Sequence, residues 1–369
     1  MINTTKKKIL CVFGTRPEAI KMCPLVNELK KRSEFDVRVC VTGQHREMLD
    51  GVLRVFSVVP DFDLSVMKEG QSLSYLTSAI ICSMDKVLCE VCPDIVLVHG
   101  DTTTAFASAL AAFYRKIPVG HIEAGLRSGD IFSPFPEEFD RRAVSLLASY
   151  HFAPTEAARE NLISEETPKE RIFVTGNTVT DAIKFTVKKE FQISKFCPYR
   201  DKKMIIFTAH RRENLGAPME NMFRALVRVV ERFSDIFAVC PLHKNPKVRE
   251  TAQEILCGRE RIFCIEPPEV DVFHNLLARS YLILTDSGGI QEEAAFLGKP
   301  TLVMRNVTER QEGIDEGVLR LVGTNEKNIF KETAKFLSDS NEYNAAARPT
   351  DRFGDGRVSA RICDILLKI

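Results

Sequence analysis

Tyr281-Leu282-Ile283-Leu284-Thr285-Asp286-Ser287-Gly288-Gly289-Ile290-Gln291-Glu292-Glu293 reads as an apolar strand, a glycine turn and the start of an amphipathic helix. Asp286, Ser287 and the two glycines let backbone N–H groups come close to a ligand at the helix N-terminus. Such a terminus carries about half a positive charge and several unpaired donors, so it suits a phosphate. Gln291, Glu292 and Glu293 follow at once, within reach of sugar hydroxyls. The stretch predicts a Rossmann-like domain that holds a nucleotide diphosphate.

Strand and helix alternate on both sides of it. Strands are expected at Lys8–Phe13, Val37–Thr42, Ile95–His99 and Val119–Ile122, with helices at Pro17–Lys31, Ala105–Tyr114 and Pro136–Ala148. A second series has strands at Met204–Phe207, Phe237–Val239, Ile262–Ile265, Tyr281–Leu284 and Thr301–Val303, with helices at Met219–Arg232 and Val270–Arg279. This is an α/β chain of two Rossmann-like, doubly wound parallel-sheet domains facing a cleft. The polar stretch at Gly176–Tyr199 divides it into residues 1–176 and 177–369, the last helix being a candidate to pack back on the first domain.

The 369 residues suffice for two such domains, and 44% hydrophobic content for their cores. With 51 basic and 50 acidic residues the net charge is +1, which gives no support to nucleic acid or an anionic membrane as partner. No apolar run spans a bilayer, and Met1–Lys8 lacks a signal-peptide core, so a cytoplasmic protein is expected. Eleven cysteines, among them Cys11, Cys40, Cys240 and Cys264 inside apolar segments, read as small buried hydrophobes of a reducing compartment. Cys89 and Cys92 form a CxxC without a second pair. No metal site and no cofactor is expected.

Ligands in such sheets bind beyond the carboxyl ends of the strands. The first strand ends in Gly14-Thr15-Arg16-Pro17-Glu18-Ala19-Ile20-Lys21, with Arg16 and Lys21 either aimed at the cleft or ordinary surface charges of a helix start. Ile95–His99 ends in Gly100-Asp101-Thr102, where Asp101 is either an N-cap or an acid/base. Val119–Ile122 ends in Glu123, which has no obvious capping duty. Glu137 opens the helix after Ser133-Pro134-Phe135-Pro136; Glu138 beside it is a first-turn acid favoured by the dipole. Met204–Phe207 ends in Thr208-Ala209-His210-Arg211-Arg212, with His210 either a structural histidine or an acid/base held near anions. Arg310 adds a cation. Phe273 is either helix core or a stacking surface for a base. Three carboxylates, a histidine and several cations suit a reaction that removes and returns a proton while an anionic diphosphate leaves.

Taken together, GTRPEAIK (14–21), TGQHREML (42–49), GDTTT (100–104), HIEAGLRSGD (121–130), SPFPEEF (133–139), TGNTV (175–179), AHRREN (209–214), LTDSGGIQEEA (284–294) and TER (308–310) resemble the non-hydrolysing bacterial UDP-N-acetylglucosamine 2-epimerases. The resemblance spans about the whole chain. It implies a glycosyltransferase B-like fold, a homodimer, and reversible epimerisation at C2 by anti elimination of UDP to 2-acetamidoglucal and re-addition. UDP-N-acetylglucosamine and UDP are then the ligands and UDP-N-acetylmannosamine, a cell-surface polysaccharide precursor, the product.

By matching motif, Asp101, Glu123 and Glu137 move protons and position the sugar, Lys21 sits by the reacting end, and His210 acts near the glycosidic oxygen or phosphate. Arg16, Arg310 and the backbone of Ser287, Gly288 and Gly289 hold the diphosphate. Glu293 binds the ribose, and Phe273 packs on uracil. Gln44, Arg211, Arg212 and His243 fit an allosteric site for a second substrate molecule. Glu47 and Gly70 stand where such relatives have Gln and Arg, so activation is not expected in full. Asp140 stands where relatives often have Asn, and its charge is expected to bear on Glu137. The alternatives are an epimerase for a related UDP-2-acetamido sugar, a hydrolysing 2-epimerase, a glycosyltransferase of the same fold and a non-catalytic nucleotide-sugar sensor.

Overall fold

The computed structural model describes residues 6–43, 46–66, 70–192, 199 and 201–369, with backbone alone for Arg46 and Glu47. It contains two compact units, Met1–Phe185 with Gly354–Ile369, and Thr186–Phe353.

The first unit is built on seven strands: β1 (Lys7–Phe13), β2 (Phe35–Val41), β3 (Phe62–Asp63), β4 (Ile95–His99), β5 (Val119–Ile122), β6 (Tyr150–Ala153) and β7 (Ile172–Val174). They lie in the order β3-β2-β1-β4-β5-β6-β7, every pairing parallel. The second unit has β8 (Lys203–Thr208), β9 (Ile236–Pro241), β10 (Ile262–Ile265), β11 (Leu282–Thr285), β12 (Thr301–Val303) and β13 (Leu319–Leu321). Their order is β10-β9-β8-β11-β12-β13, again all parallel. Both sheets are doubly wound α/β structures, as the alternation predicts.

Helices cover both faces, so the central strands hold continuous apolar runs, such as Ile9–Phe13 in β1 and Met204–Phe207 in β8, rather than alternating with polar residues. In β8, Ile205 and Phe207 enter one buried cluster, with Phe223 and Leu226 of the helix Ala217–Arg232. Met204 and Ile206 enter the other, with Leu276 and Leu277 of the helix Val270–Arg279. Each such buried side chain contributes about 1.5–3 kcal/mol. The strands β3, β6, β7 and β13 were not predicted; β3 and β13 offer only one or two apolar residues beside a charge.

The chain re-enters the first unit at Gly354, and its last helix, Val358–Leu366, packs against the helix Arg16–Lys30. The Asp181 carboxylate accepts from the N–H groups of Val358 and Ser359 at 3.0 and 3.1 Å and so caps that helix. Among the described residues no helix is long and apolar enough to cross a membrane, and no group of three or more His, Cys, Asp or Glu side chains is arranged to hold a metal. The described cysteines are free thiols; Cys11, Cys40 and Cys240 are buried and Cys264 is half-buried.

Candidate functional site

In each sheet the winding direction reverses once, and the loops at that point diverge to opposite faces and leave a crevice. The reversal lies between β1 and β4 in the first unit and between β8 and β11 in the second. The sequence-predicted residues gather at these two places.

In the first unit, β1 runs into Gly14. A Cβ there would stand 1.9 Å from Thr42 Oγ1 and 2.5 Å from Thr104 Oγ1, so only glycine lets the turn pass between β2 and the helix Thr103–Tyr114. Thr15 caps the helix Arg16–Lys30 in a reciprocal box with Glu18. That helix carries Lys21, which is buried and paired with the Glu123 carboxylate. Glu123, directly after β5, has a left-handed backbone with φ of 64°. For a residue with a Cβ this costs about 1–2 kcal/mol, and it turns the side chain toward Lys21. Asn177 donates a second hydrogen bond to the same oxygen, and His99 Nε2 lies 3.8 Å from it. Burial pushes His99 down to about 4, so it stands there as a neutral ring.

Asp101 pairs with Arg141 of the helix Glu137–Leu147. It is not an N-cap: that duty falls to Thr102, whose hydroxyl accepts from Ala105 N–H at 3.1 Å. The capping alternative for Asp101 is thereby corrected. Glu138 is fully buried and accepts from Ser128 N–H at 3.1 Å and Arg142 Nε at 3.2 Å, a structural role. Glu137 is half-buried, and its Oε2 is enclosed without a hydrogen-bond partner among the described residues. Asp140, one turn on, accepts from the Thr103 hydroxyl at 3.2 Å. Burial raises the Asp140 carboxyl to about 7, with Asp101 and Glu137 adding to the rise.

In the second unit, one fully buried carboxylate organises the reversal point. Asp286 accepts from His210 N–H at 3.0 Å, Arg211 N–H at 3.0 Å, Asn214 Nδ2 at 3.0 Å and His210 Nδ1 at 2.9 Å. Burial works to raise Asp286, but the His210 ring, the Arg211 N–H and Asn214 outweigh it and hold the acid below its ordinary range. An ionised Asp286 fixes the proton of His210 on Nδ1 and leaves Nε2 as the acceptor, the arrangement of a general acid/base. The helix Gly288–Leu297 starts beside it. Ser287, its N-cap, makes no side-chain capping bond, so the first N–H groups are not closed by the helix's own cap.

A Cβ on Gly288 would lie 3.1 Å from Arg310 Nη1 and 3.4 Å from Arg211 Nη2; two guanidinium groups thus stand over the turn. Arg310 is oriented by Glu292 at 2.9 Å and Glu309 at 3.3 Å, and Arg305 by Glu309 at 3.0 Å. Burial opposes ionisation of Glu309, but Arg305 and Arg310 prevail and bring it down to about 2. Arg211 is lowered by burial and by the neighbouring Arg305.

Glu293 lies on the helix Gly288–Leu297, largely buried, with His274 Nε2 3.7 Å from Oε1 and its Oε2 without a hydrogen-bond partner among the described residues. Phe273 is partly buried against Leu276, Leu277 and Ile290, which agrees with its core alternative. The rings of His243 and His210 are 5.4 Å apart, while Arg212 is exposed on a one-turn helix. Arg16 is half-exposed at the helix start. Gln44 and the side chain of Glu47 lie outside the described residues; Gly70 forms a turn with φ of 71°.

Within its own unit, each cluster brings most of its predicted residues together. Sequence reasoning missed Glu18, His99, Arg141 and Asn177. The T-x-x-E spacing of Thr15 and Glu18 was readable as a capping box; Asn177 lies in the TGNTV stretch but was given no role there, and its partner and that of Arg141 lie 54 and 40 residues away.

The family model described as UDP-N-acetylglucosamine 2-epimerase matches residues 27–367. The UDP-N-acetylglucosamine 2-epimerase of Bacillus subtilis is 52% identical over 362 residues, covering 98% of this chain and 95% of the relative. That of Escherichia coli K12 is 50% identical over 368 residues, covering 97% and 98%. Among solved structures, the Neisseria meningitidis UDP-GlcNAc 2-epimerase bound to UDP-GlcNAc superposes with a TM-score of 0.95 at 46% identity, covering 98% of this chain and all of that one. The Methanocaldococcus jannaschii enzyme in complex with UDP-GlcNAc and UDP gives 0.85 at 32% identity, covering 98% and 100%.

Proposed function

The chain belongs to the UDP-N-acetylglucosamine 2-epimerase family, and from that premise we propose that it interconverts UDP-N-acetylglucosamine and UDP-N-acetylmannosamine without net hydrolysis. The observation that carries this reading is Glu123: a carboxylate placed on a strained backbone at a strand end and held by Lys21 and Asn177. Strain of this kind persists where the surroundings impose it, and it gathers at functional sites.

In the proposed reaction a carboxylate takes the C2 proton as the C1–O bond breaks. The C2–H electrons become the C1=C2 bond of 2-acetamidoglucal, and UDP leaves with the C1–O pair. Protonation at the opposite face of C2 and re-addition of UDP at C1 give the epimer. A C–H at an unactivated carbon is a poor acid, so its loss must be tied to departure of the diphosphate. Arg16, Arg310 and the N–H groups at Ser287, Gly288 and Gly289 are the groups we assign to the leaving phosphates, with the Arg211 guanidinium beside the same turn. His210, its Nδ1–H held by Asp286, serves the glycosidic oxygen or a phosphate oxygen by donating from Nε2 when the ring carries both protons. Inversion needs proton donors and acceptors on both faces of C2; Asp101, Glu123 and Glu137 are the assigned set. Glu293 is assigned to the ribose and Phe273 to uracil. A cytoplasmic homodimer that supplies a polysaccharide precursor completes the proposal.

Incubation with UDP-N-acetylglucosamine in D2O, followed by NMR, tests it. Deuterium at C2 and a mixture of two UDP-sugars are expected. Steady accumulation of UDP with free sugar would assign hydrolysis instead, and no change would point to a transferase or a sensor. Glu123→Gln is expected to abolish C2 exchange while the protein stays folded; near-normal exchange would remove Glu123 from the mechanism.

A further inference from the structure

Glu18 is only 2% exposed, and its two oxygens are spent on different loops. Oε2 accepts from Gly14 N–H at 3.1 Å and Thr15 N–H at 2.8 Å. Oε1 accepts from the hydroxyl of Thr102 at 2.8 Å. A helix-capping glutamate needs only the bond to the N-cap N–H. The bond to Thr102, 84 residues away, does nothing for that cap; it joins the loop after β1 to the loop after β4. Asp101 immediately precedes Thr102. Lys21 follows Glu18 by three positions on one helix, and so shares its face.

Thr102 is fixed in turn, since its hydroxyl also accepts Ala105 N–H at 3.1 Å and starts the helix Thr103–Tyr114. We infer that Glu18 is a positioning residue for the proposed epimerisation: it staples the two loops at the reversal of the first sheet, and thereby sets Lys21, with its partner Glu123, and Asp101 in place. The inference rests on the proposed function for its chemistry, but the staple exists in the folded protein without substrate. Burial raises the Glu18 carboxyl to about 7, against the bonds from Thr102, Thr15 and Gly14. The bonds, rather than the charge, are therefore what a substitution must preserve. A glutamine preserves them: its carbonyl takes the two N–H groups, and its amide donates to the Thr102 oxygen.

The test compares the parent enzyme with Glu18→Ala, Glu18→Asp and Glu18→Gln. kcat and KM are measured by NMR conversion of UDP-N-acetylglucosamine, UDP affinity by calorimetry, and amide exchange in the peptides covering residues 13–21 and 99–105. Misplacement of reacting groups by about 1 Å costs about 10²-fold in rate, so Glu18→Ala and Glu18→Asp are expected to lose about that much kcat. UDP affinity should fall far less than kcat, because of the groups assigned to UDP only Arg16 lies in the stapled loop and the others lie in the second unit, and exchange should quicken in both peptides. Glu18→Gln should retain most of kcat. If Glu18→Ala fails to fold, the contrast of Asp with Gln carries the test. A folded Glu18→Ala with kcat within about threefold of the parent overturns the inference, as does a Gln variant no better than Asp. If the parent itself converts no UDP-sugar, the functional reading falls, while unchanged exchange in both peptides would sink the staple on its own terms.

Discussion

Asp140 makes the dependence of this fold on pH predictable in sign and size. Its carboxyl is 3% exposed on the first turn of the helix Glu137–Leu147. It faces the Thr103 hydroxyl, with Asp101 and Glu137 close enough to act on its charge. Burial raises it from 3.8 to about 7. The unfolded chain therefore releases this proton near pH 4, while the folded chain keeps it until about pH 7. The stability it contributes is complete below pH 4 and is lost as pH rises through 7. Each pH unit inside that window removes about 1.4 kcal/mol, so going from pH 5 to pH 8 costs the parent about 2.5 kcal/mol.

Asp140→Asn keeps the shape, lets the amide oxygen accept from Thr103, and has nothing to titrate. The difference in melting temperature, variant minus parent, should therefore rise between pH 5 and pH 8 by roughly 5–10 °C, at about 2–4 °C per kcal/mol for a unit of this size. Taking the difference cancels the other titrating groups, Glu18 among them. Calorimetric scans at pH 5, 6, 7 and 8 measure it. A flat difference, or one that falls with pH, would refute the account of Asp140 as an acid kept neutral by burial.

Two further outcomes follow from the same kind of geometry. Asp286→Asn offers one acceptor oxygen to four donors and no longer fixes the His210 proton on Nδ1. kcat should fall by about 10²–10⁴-fold, as when a histidine base loses its orienting carboxylate; steady-state turnover within threefold of the parent would refute the assignment. Gly14→Ala places a methyl 1.9 Å from Thr42 Oγ1 and should destabilise by about 1–3 kcal/mol. Thr42→Ala in the same chain should recover part of the loss; additive losses in denaturant titrations would show that the clash lies elsewhere.

Much of this was legible in the sequence, for identifiable reasons. The strands β1, β4, β8 and β11 carry apolar runs because both sheet faces are covered, and Gly14, Gly100 and Asp286 mark the ends of three of them. Lys21, Glu123 and His210 were found because each directly follows a strand or sits on the first helix turns after one. Of the missed strands, β3 and β13 offer only one or two apolar residues beside a charge, and the roles of Asn177 and Arg141 lie in contacts across 40 or more residues. Asp101 looked equally good as cap or acid because Thr102 beside it can cap as well; only the hydroxyl-to-Ala105 bond decides. Phe273 remained ambiguous because an aromatic on a helix face serves core and ligand with one spacing.

The two units meet one physical problem with the same device, and the difference in execution explains which substitutions each tolerates. Where a sheet reverses its winding, adjacent loops part to opposite faces, and their backbone N–H groups lose the partners that a continuing ladder would supply. A buried donor without a partner costs about 1–3 kcal/mol, so something must accept from it. In the first unit Glu18 reaches from Gly14 and Thr15 across to Thr102; in the second Asp286 reaches across to His210, Arg211 and Asn214. Glu18 has three neutral donors and is raised to about 7. Asp286 has four donors, one of them an imidazole able to carry charge, and is lowered. A neutral amide can therefore replace the first carboxylate with little loss, whereas the second must stay an anion, because its charge also selects the histidine tautomer on which the proposed proton transfer depends.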